Sequence, residues 1–182
     1  RLMRGMLRKI LHEVTLPTLL FGLGLFVFKA LLTHVLPQVM QGIGEVFEQF
    51  PLAKTLLTAL LGTEVGDAIT ARTMQAFLWV HPAVLALLWG HEITLCTRMP
   101  AGEIDRGTAD VLLSWPVSRR KIYVCETIIW LASGVLLISL AYLGHRSTVS
   151  SMPEAMRPEW RRAALVMANL LCVYLAVGGI VF

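Results

Sequence analysis

Charged residues are scarce in this chain. Of its 182 residues, 15% are charged and 56% are hydrophobic, whereas an average soluble domain has about 25% charged residues. The mean hydropathy is +0.68, which is typical of a protein that lies mostly in lipid. The formal net charge of +4 therefore does not indicate a nucleic-acid partner, because lysine and arginine flank membrane spans and face anionic headgroups.

Several catalytic and ligand-binding motifs are also missing. The three cysteines, Cys96, Cys125 and Cys172, form no CxxC pair, so neither a disulfide framework nor a zinc site is indicated. No GxxxxGK[ST] phosphate loop and no GxSxG motif occurs. The HExxH zinc motif nearly occurs at 12–16 and 91–95, but leucine stands where the second histidine is required. We therefore expect no enzymatic site and no metal or cofactor on this chain.

Four apolar segments are long enough to cross about 30 Å of hydrocarbon. They predict an all-α polytopic membrane helix bundle that forms a single transmembrane domain over residues 1–182. Its predicted segments are an amphipathic interfacial helix at 1–13, span 1 at 14–36, an outer loop with an amphipathic helix at 37–73, span 2 at 74–96, a cytoplasmic loop at 97–121, span 3 at 122–143, an outer loop at 144–162 and span 4 at 163–182. Lys29 is the one charge in span 1, and we expect it to snorkel toward the interface.

Lysine and arginine are distributed unevenly between the two sides of the predicted membrane domain. Nine lie in the amino-terminal segment and the loop between spans 2 and 3, and six lie in segments on the other side. The positive-inside rule then places the amino terminus and the 97–121 loop in the cytoplasm. The expected location is a multi-pass position in the cell membrane, with lipid as a partner.

The 97–121 loop contains an amphipathic pattern. A helix over residues 103–115 would have an apolar side and a polar side. The apolar side would carry Ile104, Thr108, Val111, Leu112 and Trp115. The polar side would carry Glu103, Arg106, Asp110 and Ser114. We predict a short helix whose apolar stripe packs on the spans and whose charged stripe is exposed. Pro116 would end it, and Ser118 would cap the next helix. Two interpretations stay open, a simple connector between spans and a docking element for a cytoplasmic partner.

Part of this loop resembles a known family pattern. Glu103-x-x-x-Gly107-Thr108, then Leu112-Leu113, then Pro116-Val117-Ser118-Arg119 resembles the cytoplasmic coupling region of type-2 ATP-binding-cassette exporter permeases. In that family the region follows the second span and contacts the ATPase subunit. The order of segments is similar over essentially the whole chain. One departure is Glu126, because the family commonly carries lysine at the start of the third span.

The resemblance implies the permease subunit of an exporter in a bacterial inner membrane, with no ATPase activity of its own. It implies a separate ATP-binding subunit that carries ATP and Mg, and a second permease copy or homologue as dimer partner. It also implies six spans, so we expect the chain to be part of a longer one, with two spans after Phe182. The residues that would contact the ATPase are Glu103, Arg106, Gly107, Thr108, Asp110, Pro116, Ser118 and Arg119. An alternative is a non-transporting membrane scaffold or sensor that recruits a cytoplasmic partner through the 100–121 loop.

Three ionisable residues fall in span 2. Glu92 is a candidate functional residue, because an acid inside a span suggests function by default, although its place near the interface also allows it to snorkel. His81 and His91 are ten residues apart, which is about 15 Å along a helix, so one ion cannot bridge them. His81 precedes Pro82, and we expect this pair to kink the span.

Overall fold

The chain is built from helices in every segment that the structure describes. The structure, a computed structural model, describes residues 2–61, 76–98, 101–108, 110, 114, 118–154 and 157–181. Its helices are α1 (Leu2–Gln49), α2 (Pro51–Leu61), α3 (Pro82–Cys96), α4 (Ala101–Asp105), α5 (Arg119–Thr148) and α6 (Trp160–Val181). No strand occurs among the described residues, so the all-α prediction is confirmed.

Four helical segments are long and apolar enough to cross a membrane. They are Gly5–Gln49, Ala76–Cys96, Arg119–Ser151 and Trp160–Ile180. Large apolar side chains cover their outer surfaces; on α1 alone Leu16 is 66% exposed and Leu20 is 62% exposed. An apolar surface of this extent is unfavourable in water but suits contact with acyl chains. The length and composition of these helices thus describe a multi-pass membrane protein.

α1 is one continuous helix where the sequence predicts three segments. It passes without a break through the predicted boundaries at 13/14 and 36/37, and it retains Pro17 and Pro37 inside it. The apolar stripe of its first turns faces the other helices of the bundle. Met6 and Ile10 are 2% and 1% exposed, and they belong to the same core cluster as residues of the spans. Residues 1–13 are therefore the start of α1 and not a separate helix, and their apolar stripe packs on the bundle.

The long helices α1 and α5 form the main packing pair. They lie close together at Gly144, where a side chain would meet the backbone of Phe26. Small residues allow such close helix contacts in membranes. At the same end of the bundle, Thr148 donates a hydrogen bond to the Ala30 carbonyl across 3.2 Å. α5 extends beyond its predicted limits of 122–143, and a 3-10 turn, Val149–Ser151, continues it.

α3 follows an interruption at the predicted position. Residues 76–79 are helical, His81 has non-helical angles (φ −56°, ψ 133°), and Pro82 opens α3. The His81 ring accepts a hydrogen bond from the Ala83 backbone N–H at 3.2 Å, so it caps the new helix. The kink predicted from the His81–Pro82 pair is confirmed, with the histidine as its cap.

α6 closes the bundle against α3 and α5. Tyr174 on α6 is 1% exposed, and its ring stacks on that of Trp130 with centroids 6.1 Å apart.

In the segment predicted as an outer loop, α2 is helical from Pro51 to Leu61. Leu52 and Leu56 of α2 are 74% and 61% exposed.

Candidate functional site

The connection between α3 and α5 begins with a short helix that ends in a glycine turn. α4 ends at Asp105, and Gly107 has φ +69°. The Gly107 N–H donates to the Ile104 carbonyl at 3.0 Å, and the Thr108 N–H donates to the Glu103 carbonyl at 2.9 Å. These two bonds have the pattern of a Schellman C-cap, which places glycine in the left-handed conformation just after the helix. The spacing Glu-x-x-x-Gly-Thr is therefore explained by the way this helix ends.

This turn corrects the predicted helix over 103–115. Since the chain leaves the helical path at Gly107, the angular register computed through residue 115 does not apply. A Cβ at Gly107 would meet nothing within 4 Å, so close packing does not explain the glycine. Glycine is required at position 107 because the backbone there has a positive φ. Asp110 and Ser114 are helical and exposed, while Val111, Leu112, Trp115 and Pro116 lie outside the described residues.

The orientation of α4 is opposite to the prediction. Glu103 is 2% exposed, whereas Ile104 is 64% exposed. The Glu103 carboxylate accepts hydrogen bonds from the Thr108 hydroxyl at 2.5 Å and from Lys9 Nζ at 3.2 Å. Arg106 forms an i,i+3 pair with the same carboxylate at a distance of 4.0 Å. The acid thus anchors the connection to α1, while Ile104, Asp105 and Arg106 are among the exposed residues.

The environment of Glu103 favours its charged form. The hydrogen bond from Thr108 is the main cause that lowers the pKa of the Glu103 carboxyl, and burial opposes it. The hydrogen bond and charge of Lys9, and the charge of Arg106, lower the pKa further. The carboxylate is therefore ionised at neutral pH and holds both cations.

Arg98 is the centre of a second set of ion pairs next to α4. Its guanidinium group binds the carboxylates of Glu13 on α1 and Glu126 on α5. Lys9 lies 3.8 Å from Glu13 and so connects these pairs to Glu103. We call Lys9, Glu13, Arg98, Glu103 and Glu126 the ionic network. Because its members lie on α1, α4, α5 and the residues after α3, the network joins the α3–α5 connection to two spans.

Sequence reasoning did not find this network. Glu126 was noted only as a departure from the family pattern, but it is 4% exposed and is the acid partner of Arg98. The available signal was the opposite charge of Arg98 and Glu126 at the facing ends of two consecutive spans. Glu13 and Lys9 gave no local signal, because Lys9 and Glu103 are 94 positions apart.

A cavity of about 520 Å³ lies beside the network. Its wall includes two acids and two arginines, Glu13, Asp105, Arg98 and Arg106, and it reaches His91 of α3. The Nε atom of Arg98 is buried and has no hydrogen-bond partner among the described residues. The cavity wall therefore includes buried His91 as well as exposed Asp105 and Arg106.

Glu92 is fully buried, so the prediction that it could snorkel is wrong. It is 0% exposed, and Oε1 accepts a long hydrogen bond from the Trp130 indole N–H at 3.4 Å. Gly178 of α6 packs directly on this carboxyl, and a side chain there would overlap it and Trp130. Oε2 has no hydrogen-bond partner among the described residues. An intramembrane carboxyl with one unbonded oxygen can take up a proton or a donor group.

His91 has a structural role. Its Nε2 lies 3.0 Å from the Thr18 hydroxyl and its Nδ1 lies 3.3 Å from the Tyr174 hydroxyl. Both ring nitrogens thus have partners on neighbouring helices. No group of three or more metal-ligating side chains occurs in the part of the chain that the structure describes.

Lys29 was missed as a buried residue. It is 0% exposed rather than snorkelling, and Nζ donates to the Leu78 carbonyl at 3.0 Å. In a regular helix that carbonyl would accept from residue 82, but Pro82 has no N–H. Nζ also lies 3.8 Å from the centroid of the Trp79 ring. Lys29 therefore supplies the donor that Pro82 lacks. In the sequence, Pro82 was the residue that indicated a carbonyl in need of another donor.

The remaining predicted residues of the coupling region lie at the start of α5. Ser118 occupies the N-cap position with φ −67° and ψ 144°, but its side chain makes no capping hydrogen bond. Ser118 and Arg119 are exposed. Comparison with sequence models of protein families, with curated proteins and with solved structures found no match.

Proposed function

We propose that the chain is the permease subunit of an ATP-binding-cassette transporter. In this proposal it is an exporter in a bacterial inner membrane that moves an unidentified substrate, and a separate subunit hydrolyses ATP. The observation that carries the proposal is the attachment of the α3–α5 connection, through buried ion pairs, to α1 and α5 at once. A loop that only links two spans needs no such attachment, whereas a coupling element must transmit force to the bundle.

The proposed contact with the ATPase is the exposed face of α4 and the start of α5. Ile104 supplies an apolar centre, Asp105 and Arg106 supply charge of both signs, and Arg119 lies at the start of α5. Interfaces commonly combine a small apolar centre with a polar rim. Glu103 acts behind this face as an anchor, so its proposed role is positioning. In this arrangement the amino terminus and α4 are cytoplasmic.

Transmission would follow the ionic network. A displacement of α4 would act on α1 through the Glu103–Lys9 pair and on α5 through Arg98 and Glu126. Ion pairs buried at a helix end have two discrete arrangements, formed and broken, which suits switching between inward and outward access. A second permease copy or homologue would complete the pathway.

The test uses exposed residues, because changing buried Glu103 would disturb the bundle itself. We expect Ile104→Ser combined with Asp105→Lys, at two exposed positions outside the ionic network, to abolish co-purification with the proposed ATP-binding subunit and to abolish its ATPase stimulation in proteoliposomes. The control is Lys54→Glu on exposed α2, which should leave both unchanged. The thermal unfolding of each variant alone should match that of the parent chain.

Two outcomes would contradict the proposal. Assembly and ATP-driven activity that survive the α4 double variant would exclude α4 as the coupling element. Specific co-purification of a partner without a phosphate-binding loop, lost in the same variant, would favour the alternative of a membrane scaffold or sensor.

A further inference from the structure

A small cavity lies at the opposite end of the bundle, where α5 ends and α6 begins. Its volume is about 190 Å³, and its polar wall residues are Tyr142, His145, Arg146 and Trp160, with Val149 and Pro158 as apolar backing. The proposed transport mechanism does not use this place. It lies at the ends of two spans, the depth at which lipid headgroups meet water.

The polar side chains of this cavity present hydrogen-bond donors. A guanidinium group and an indole can only donate, and a tyrosine hydroxyl and a neutral imidazole can each donate once. No carboxylate occurs among the residues that form its described wall. A wall of this composition favours a ligand that carries several acceptor oxygens.

His145 is the fixed element of the wall. It is 1% exposed, and its Nδ1 lies 2.8 Å from the Thr33 hydroxyl. When this hydroxyl donates to Nδ1, the proton of the neutral ring is on Nε2. Nε2 is buried and has no hydrogen-bond partner among the described residues. In that tautomer the Nε2 N–H of this wall residue is available to an acceptor oxygen of a ligand in the cavity.

The surroundings of His145 are positively charged. Arg146, an exposed residue of the same wall, directly follows His145 in the sequence. Arg161 lies over Trp160, 5.9 Å from the ring centroid, and adds a cation beside the cavity. The acids nearby in the sequence are already paired with other arginines, Glu154 with Arg157 at 3.9 Å and Glu159 with Arg162 at 3.5 Å. The potential at the cavity therefore attracts an anion.

We propose that this cavity binds a phosphate group, and that the phosphate is the headgroup of an anionic phospholipid. Tetrahedral phosphate offers acceptor oxygens in several directions, as the donors of Tyr142, His145, Arg146 and Trp160 require, and its bidentate pairing with arginine is strong. Tryptophan and tyrosine prefer the headgroup depth. The acyl chains would lie along the apolar outer surfaces of α5 and α6, where Leu143 and Leu165 are 52% and 67% exposed.

The experiment measures lipid retention by the whole chain. The chain is reconstituted in nanodiscs of phosphatidylcholine with and without phosphatidylglycerol, then extracted in detergent and analysed by native mass spectrometry. We expect retained phosphatidylglycerol, and an Arg146→Gln variant that retains about tenfold less, which is the effect of losing one charge-assisted hydrogen bond. Arg146→Lys should retain more than Arg146→Gln, and Arg120→Gln, an exposed arginine at the other end of the bundle, should match the parent chain.

A second arm separates a lipid from a free anion. The unfolding temperature of the delipidated chain is measured with added phosphatidylglycerol or with inorganic phosphate. We expect a rise with the lipid that the Arg146→Gln variant lacks. Equal protection by inorganic phosphate would overturn the lipid as the source. Equal retention of phosphatidylglycerol by the parent and the Arg146 variants, or equal retention of phosphatidylcholine, would overturn the site.

Discussion

Replacing Lys29 by methionine removes the ammonium group and keeps most of the side-chain length. The structure gives two losses and one gain. An unsatisfied Leu78 carbonyl costs about 1–3 kcal/mol, and the desolvated contact with the Trp79 ring contributes about 2 kcal/mol. Against these, the variant no longer buries a cation, a penalty of several kcal/mol. These opposing free energies are similar, so they nearly cancel in Lys29→Met alone. The informative measurement is how the effect of Lys29→Met on stability changes when Pro82 is also replaced.

The effect of Lys29→Met should depend on residue 82, because Pro82 is the reason that the Leu78 carbonyl lacks a donor in its own helix. Pro82→Ala restores an N–H that can donate to Leu78, so Lys29→Met should be less destabilising in that background by about 1–2 kcal/mol. The parent chain, Lys29→Met, Pro82→Ala and the double variant are unfolded by titration with dodecyl sulfate in mixed micelles. Helicity is followed by circular dichroism. Lys54→Met on exposed α2 is the control, expected within about 0.5 kcal/mol of the parent chain. Equal effects of Lys29→Met in both backgrounds would refute the assignment of Lys29 as the substitute donor.

Three further predictions concern packing and charge elsewhere in the bundle. Gly178→Ala should destabilise the bundle by about 1–3 kcal/mol, because the added methyl group overlaps the Glu92 carboxyl and the Trp130 indole. Gly179→Ala has open space around it and should be neutral or slightly stabilising in the same unfolding titration. Arg98→Gln should cost about 3–5 kcal/mol, since it leaves the buried Glu126 carboxylate without its cation. Arg119→Gln on the surface should cost less than about 0.5 kcal/mol, and similar costs for both would contradict the ionic network. Because its surroundings lower the pKa of Glu103, this carboxylate stabilises the fold above its ordinary pKa of about 4.5, and the contribution is lost as pH falls through the lowered value. The difference in unfolding temperature between the parent and Glu103→Gln should therefore be constant near neutral pH and vanish in acid, and a difference independent of pH would contradict it.

Hydropathy and local chemistry predicted much of the fold. Long apolar runs located the spans because length and hydrophobicity decide membrane insertion. Pro82 located the helix break, because proline disrupts a helix wherever the surrounding bundle tolerates it. The orientation of α4 was not predictable in the same way, since the helical angle per residue was carried past Gly107, where the backbone turns.

The amino-terminal segment shows a different limit. An apolar stripe with basic residues opposite it is equally suited to a headgroup layer and to the core of a bundle. The choice depended on partners far along the chain, as in the burial of Met6 and Ile10 in the common core. The buried ion pairs also join residues distant in sequence, so local pattern could not reveal them.

The continuity of α1 makes it a lever. Its 48 residues give a contour length of about 70 Å, more than twice the hydrocarbon thickness. A tilt of about 10° around its middle would move each end by about 6 Å in opposite directions. A tilt that starts at the ionic network would thus reach the distal end, where Val46 is 50% exposed, as a displacement of similar size in the opposite direction. The same rod also sets a mechanical requirement, because bending at Pro17 or Pro37 would absorb the motion before it reached the far side.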